Sequence, residues 1–406
     1  MAPSPRRRPG RHAAAPVKAG RGGPPSSVGA LAAALEMVAP ARLAEPWDNV
    51  GLLLGDREAP CGRVLLTVDF TAGVLEEALA LSVDAVVAYH PPIFDPLKRL
   101  TSEDPKQRLL LETAQAGIAL LSPHTALDAV HGGVNDWLLE GVAGGAAELE
   151  RARDLQPLRP AESLPRSEAC KIVVFVPLAQ AQRLRDALAD AGAGQCGLYD
   201  RCSVRCEVIG TFRGLEGSSP AIGTKGRVEE VREERVEVVC SRERLPWALA
   251  AMRAVHPYET PAYEVHALAA RPSLDEGAGR LVELREPADT AAIAARLRRH
   301  LGAQRLELAA APGADGARHA RIGVCAGAGA SMVKDAVARG ATLFVTGEAR
   351  HHDQLSAMAS GCSLLLAGHT VTERGYLPRL AERIAPIVPG VAFTQSKADG
   401  HPLVEV

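Results

Sequence analysis

The residues best suited to chemistry lie late in the chain, at 342–374. There Thr-Gly-Glu-Ala-Arg-His-His-Asp (346–353) is followed by Ala-Gly-His-Thr-Val-Thr-Glu-Arg (367–374). His369 and Glu373 are four residues apart, so a helix beginning at Gly368 would set imidazole and carboxylate on one face. Such a pair is half of a divalent-metal site with nitrogen and oxygen donors. The other half emerges from an internal repeat. Residues 63–90, from Arg-Val-Leu-Leu-Thr-Val-Asp-Phe to Ala-Tyr-His, align without a gap on 321–348, from Arg-Ile-Gly-Val-Cys-Ala-Gly-Ala to Thr-Gly-Glu. Downstream, Gly-Ile-Ala-Leu-Leu-Ser-Pro-His-Thr-Ala-Leu-Asp (117–128) parallels Gly-Cys-Ser-Leu-Leu-Leu-Ala-Gly-His-Thr-Val-Thr-Glu (361–373) with one insertion. His-x3-acid thus occurs twice, as His124 with Asp128 and His369 with Glu373. One such spacing carries little information; two at equivalent places in a repeat carry much. The plainer alternative is a pair of solvated helix starts with capping side chains.

These residues need strands and turns to aim them. In each repeat an apolar strand precedes a helix-like run (73–81 and 331–339) and a second strand follows. Runs 343–345 and 363–367 read as buried strands. His90 comes straight after a strand, and Pro91 and Pro92 hold it on a stiff loop at the sheet edge. Apolar residues at helical spacing fill 28–38, and Pro40 closes that element. Trp47-Asp48-Asn49 reads as a turn entering a strand, with Gly51 and Gly55 allowing tight backbone. Lys98 and Arg99 could meet a phosphate, or simply be solvated. Gly327-Ala-Gly-Ala-Ser331 could be an anion-binding turn or a close-packed one; it lacks the Walker lysine and the dinucleotide fingerprint. No Ser-His-Asp or Cys-His nucleophile arrangement stands out.

The 406 residues suggest two or three domains. With 46 basic and 48 acidic residues the net charge is −2, which indicates neither nucleic acid nor an anionic membrane as partner. Aromatics are 3 % of the chain, so Ala, Val and Leu must fill the core. The eight cysteines form no C-x-x-C pair and read as reduced, mostly buried thiols of a cytoplasmic protein. Cys196, Cys202 and Cys206 are the one cluster with zinc or redox potential. Residues 1–27 are rich in Pro, Gly, Ala and Arg without an apolar stretch, which predicts a disordered basic tail and not a secretory signal. No apolar run is long enough for a membrane span. Between Pro-rich or Gly-rich boundaries at 155–165 and 271–279, strands at 171–176, 204–212, 227–239 and 262–268 and helices at 178–191 and 245–255 give a βαββαβ order, a ferredoxin-like unit. The second half resumes with a short strand at 281–284 and an amphipathic helix at 290–301.

Taken together, Trp-Asp-Asn-Val-Gly-Leu (47–52), Tyr-His-Pro-Pro-Ile-Phe (89–94), Ser-Pro-His-Thr-Ala-Leu-Asp (122–128), Gly-Gly-Val-Asn-Asp-Trp-Leu (132–138) and the two late motifs resemble one family, the Nif-three-like or GTP cyclohydrolase I type 2 family. The resemblance runs from about residue 28 to the carboxyl end. It implies an α/β fold in which two similar lobes, 28–160 and 277–406, form one metal-binding core interrupted by a PII-like inserted domain at 166–272. It also implies a dinuclear centre with His90, Asp128, His369 and Glu373 as ligands, two divalent ions (Zn, Fe or Mn) per subunit, and a ring-shaped homohexamer. Tyr89 stands where bacterial members usually carry a further His, so one metal position could be weakened or completed by His124 or water. Glu373 and His124 are the expected catalytic groups, and His351 and His352 could orient ligands or carry protons.

For function, the family name implies ring opening of guanine with loss of formate, from a small-molecule, nucleotide-like substrate. The residues themselves point to a metal-dependent hydrolase. Two rivals remain: a metal-binding scaffold without turnover, and a small-ligand sensor working through the insert. In the insert, His256, Glu259 and Tyr263 could bind a ligand, or the segment could be a turn fixed by Pro257 and Pro261.

Overall fold

The structure, a computed structural model, describes residues 26–402. The basic-tail expectation for residues 1–25 therefore lies outside the described residues. Ser26 and Ser27 belong to the fold instead. The Ser26 carbonyl accepts from Cys61 N, and Ser27 caps helix Val28–Val38 by accepting from Ala30 N. Contacts divide the chain into two units, with breaks at 161/162 and 273/274.

The first unit contains two sheets that carry the repeat. In one, strands Arg63–Thr67, Ala85–Ala88 and Ala119–Ser122 run parallel, with Val64 opposite Ala85 and Val86 opposite Leu120. In the other, Arg318–Cys325, Leu343–Thr346 and Ser363–Leu366 do the same, with Ile322 opposite Leu343 and Phe344 opposite Leu364. The four short inner strands Ala85–Ala88, Ala119–Ser122, Leu343–Thr346 and Ser363–Leu366 are buried at every position, which explains their largely apolar runs. Alternation sorts the faces. Val64, Leu66, Val87 and Leu121 join Ile322, Val345 and Leu365 in one core with Leu31, Leu138, Ile293, Leu297 and Leu380 from helices. Leu65, Val86 and Leu120 face the other way, onto Val74, Leu75 and Leu110.

The halves do not keep to the boundaries read from the sequence. Strand Ala392–Gln395, expected in the second lobe, pairs in parallel with Arg63–Thr67 and forms an edge of the first sheet. Strand Arg153–Gln156, from the first half, pairs with Arg280–Asp289 and forms an edge of the second. Each exchange caps an otherwise open edge whose amides and carbonyls need partners. Helices Pro105–Gln115, Val134–Ala143 and Leu377–Ile384 complete the layers.

One buried ion pair crosses between the halves of this unit. Arg280, 1 % exposed, donates from Nε to Asp136 and from its terminal nitrogens to the carbonyls of Gly277, Gly279, Ala129 and Val130. A guanidinium can be tolerated there because nearly every donor is used. Two imidazoles, buried His319 and half-buried His300, make no ion pair among the described residues. His319 lies between the hydroxyls of Thr290 and Thr342, at 2.9 Å from each. Burial holds both His319 and His300 below the ordinary histidine range. Below about pH 6.5 the unfolded chain then binds more protons than the folded one, so their contribution to stability is present above that pH and lost as pH falls through it. Thermal melts from pH 8 to pH 5 should show a smaller acid-side loss in His319→Asn than in the native chain; equal slopes would contradict this.

The second unit has a four-stranded antiparallel sheet in the order Tyr263–Ala267, Cys170–Pro177, Val228–Cys240, Val204–Arg213. Helices Ala181–Asp190 and Leu245–Val255 supply Leu184, Leu188, Ala248 and Met252 to a core with Ile172, Val174, Val236 and Val238. Alternate residues of Cys170–Pro177 (170, 172, 174 and 176) and of the end of Val228–Cys240 (236, 238 and 240) point into that core.

Candidate metal centre

The chemically loaded residues all follow the carboxyl ends of parallel strands. Arg63–Thr67 leads to Asp69, Ala85–Ala88 to Tyr89 and His90, Leu343–Thr346 to Glu348, and Ser363–Leu366 to His369. Backbone bonds continue each ladder past the strand end: His90 N to the Val68 carbonyl at 3.0 Å, and Gly368 N to the Gly347 carbonyl at 2.9 Å. The helix expected to begin at Gly368 starts later, at Val371–Arg374, because Gly368 takes a left-handed φ of 89° and turns the chain first. His369 and Glu373 still meet.

Glu373 is the centre of the cluster. His369 Nε2 is 3.4 Å from Glu373 Oε1, and His90 Nε2 is 3.5 Å from Glu373 Oε2. The donor atoms of His90, His369 and Glu373 all lie within 4.8 Å of one another. Each imidazole is aimed by a carboxylate on its far nitrogen: Asp69 on His90 at 2.9 Å and Glu348 on His369 at 3.1 Å. A carboxylate there favours the Nδ1–H tautomer and leaves the Nε2 lone pair for the centre. Asp48 does the same for His124, at 2.7 Å, and also accepts from Thr125. His124 has a φ of 27°, rare for a residue with a Cβ, and its ring centroid is 5.4 Å from that of His90.

Electrostatics follow from this crowd of acids. Burial would lower His90, but Asp69 and Glu373 together lift it to about 10. Burial pushes Asp128 up to about 7; the Tyr89 hydroxyl opposes this and Glu373 reinforces it. Burial and the Asp128 charge raise the Tyr89 phenol well above its ordinary value, so Tyr89 keeps its proton and donates it to Asp128. Of the four expected ligands, three converge, and Asp128 is engaged by the phenol that replaces a histidine.

The donor set fits a divalent ion on two further observations. Glu373 is 3 % exposed, and its Oε2 has no hydrogen bond among the described residues. Gly327, at φ 60°, leaves the space beside it: a Cβ there would lie 2.6 Å from Glu373 Oε1 and 3.1 Å from His369 Nε2. Gly327→Ala should therefore weaken divalent-ion binding about tenfold or more with little loss of helical signal, as measured by titration calorimetry and circular dichroism. Unchanged affinity would mean that the cradle is not used.

The turn at 327–331 is close-packed, and the amides of both its glycines, Gly327 and Gly329, are already engaged. Asn135, Thr372 and Thr346 side chains accept from the amides of Ala326, Gly327 and Gly329, each at 2.9 Å. His351 and His352 are exposed at the start of helix His351–Ala359, their rings 5.6 Å apart, and belong to no metal-capable group among the described residues. Nor do Cys196, Cys202 and Cys206, and all eight cysteines are free. Lys98 and Arg99 are exposed. Asp69, Glu348 and Asp48 were not singled out by spacing. Glu348 had a usable signal, since the repeat aligns it with His90.

An α/β core with two half-buried histidines around a buried glutamate at its strand ends defines a class of candidate metalloproteins. Within it, a family described as Duf34/NIF3 (NGG1p interacting factor 3) matches residues 26–402, and the chain belongs to that family. It is 30 % identical over 370 residues to a Bacillus subtilis protein named GTP cyclohydrolase 1 type 2 homolog, covering 90 % of this chain and 95 % of that one. It is 31 % identical over 357 residues to NIF3-like protein 1 of Rattus norvegicus, covering 87 % and 86 %. Among solved structures, a Bacillus cereus protein related to NIF3 aligns with a TM-score of 0.65 at 28 % identity, over 95 % of this chain and all of that one. Among the described residues no helix is long and apolar enough to cross a membrane.

Proposed function

We propose that this chain is a divalent-metal-dependent hydrolase of a nucleotide-like small molecule. The observation that carries the reading is the convergence of His90 and His369 on a buried Glu373 whose second oxygen lacks a hydrogen bond. A divalent ion (Zn, Fe or Mn) held by these three residues would supply Lewis acidity and an activated water at neutral pH. Asp69 and Glu348 fix the two imidazoles, so little reorganisation is needed when the site fills. His124, aimed by Asp48, stands beside His90 and is placed to move a proton to or from the reacting group. Asp128 and His124 offer the donors for a second ion, which makes a dinuclear centre part of the proposal. GTP enters as the first substrate to try because curated relatives bear the name GTP cyclohydrolase 1 type 2 homolog.

The rest of the organisation is proposed with it: a hexameric ring, a cytoplasmic location in keeping with eight free thiols, and a PII-like, ferredoxin-like insert at 162–273. Support for the insert comes from its antiparallel sheet, in which the last strand lies beside the first, then the third and the second.

A second reading, metal binding without turnover, is favoured by the Tyr89–Asp128 hydrogen bond, which occupies a carboxylate that a second ion would need. Elemental analysis with a GTP hydrolysis assay separates the readings. About two ions per chain with metal-dependent turnover supports the dinuclear enzyme. About one ion, rising in Tyr89→His without turnover in either protein, supports the binding role. No retained ion after metal-replete purification overturns both.

A further inference from the structure

The second unit contains a cavity of ≈ 410 Å³ whose lining includes Phe175, Thr211, Phe212, Glu233, Tyr258 and Glu259. Its volume is that of a small organic ligand. Its charge is unusual. None of the lining residues is Lys, Arg or His, while two are Glu. Glu233 is 6 % exposed, and the Tyr258 hydroxyl donates to its Oε1 at 2.8 Å. No ion pair engages Glu233 among the described residues. Its Oε2 fits only because residue 210 is glycine, since a Cβ there would lie 2.4 Å from that oxygen.

The nearest imidazole does not neutralise this carboxylate. His256 Nε2 donates to the Phe175 carbonyl at 2.9 Å, its Nδ1 accepts from Tyr258 N at 3.1 Å, and burial lowers its pKa. A ring with one nitrogen donating and the other accepting is neutral. His256 is therefore the structural post of the turn, and it positions Tyr258. Tyr263 lies outside the lining, bonded to Arg253. Glu259, on the exposed side, accepts from Ser219 N at 2.9 Å and adds a second negative charge.

We infer that this cavity is a binding site for an organic ammonium ion with an apolar body. A nearly buried carboxylate without a cation is costly, and a ligand cation would remove that cost. The Phe212 and Tyr258 rings, with centroids 6.0 Å apart and planes at 56°, offer π-faces that attract the same charge. The apolar walls take the body of the ligand, and the paired glutamates repel anions, phosphorylated ones included. The site lies in a different unit from the metal centre, so each stands on its own test.

The test is titration calorimetry on the full chain with 2-phenylethylamine and tetramethylammonium, against 2-phenylethanol and 3-phenylpropionate. Saturable binding of at least one amine is expected, about tenfold or more tighter than the alcohol, with no binding of the acid. Glu233→Gln should lose about tenfold or more. Thr211→Arg, a change at an exposed rim position that brings a rival cation, should abolish binding while leaving the melting temperature near that of the native chain. Equal affinity for amine and alcohol, absence of saturable amine binding up to about 10 mM, or native affinity in both variants would overturn the assignment.

Discussion

Glu373→Gln is expected to strip the protein of tightly held divalent ions while leaving its fold intact. The substitution keeps size and shape in a site that is 3 % exposed, so packing around the residue should survive. It removes the only carboxylate of the three-residue group, leaving two imidazoles and a weakly donating amide. Affinity should fall by about 100-fold or more, enough to lose the ion during gel filtration. Two readouts decide it. Elemental analysis should give near-stoichiometric metal in the native chain and almost none in the variant. Added Zn or Mn at about 100 times its Kd should stabilise the native chain by about 2.7 kcal/mol and leave the variant's melting temperature unmoved. Equal metal content in the two proteins would remove Glu373 from the centre and the proposed chemistry with it.

Arg280→Met should cost about 3–5 kcal/mol of stability, the largest effect expected from any change away from the metal centre. The side chain is buried, and its guanidinium binds Asp136 and four carbonyl groups on both sides of the sequence break. Methionine fills the space but leaves the buried Asp136 charge without its guanidinium, with only the Gly132 amide and, at 3.8 Å, the His131 ring beside it, which is the expensive part. Adding Asp136→Asn should therefore recover part of the loss, since the amide can still accept from Gly132 N without carrying charge. Urea unfolding of the native, single and double variants measures this directly. A single variant within about 1 kcal/mol of the native chain would mean that the pair contributes little.

Legibility in the sequence varied with how local each feature was. Helices Val28–Val38, Leu245–Val255 and Thr290–Leu301 follow from periodicity and stop signals within the element, and their bounds agree with the structure. The two His-x3-acid pairs were visible because the repeat placed them twice. Which residues touch them was not visible. Asp69 meets His90 across a strand end 21 residues away, and Asp48 meets His124 across 76, distances at which side-chain type carries no register information. The exchanged edge strands are hidden for the same reason, since Ala392–Gln395 reads equally well as an edge of either sheet. Tyr89 was legible as a departure, whereas its partner was not: only the buried geometry pairs its proton with Asp128.

The exchange of edge strands also sets how the chain can be divided. The first sheet is closed by residues from the last part of the sequence, and the second by residues that precede the 162–273 unit. Neither lobe is self-sufficient. A fragment holding only one would present a bare sheet edge, the usual template for unwanted pairing. Both sheets must also wait for partners more than a hundred residues apart, so maturation of the core is a late event in synthesis. In this chain the unit of inheritance visible in the repeat is half of the unit that folds.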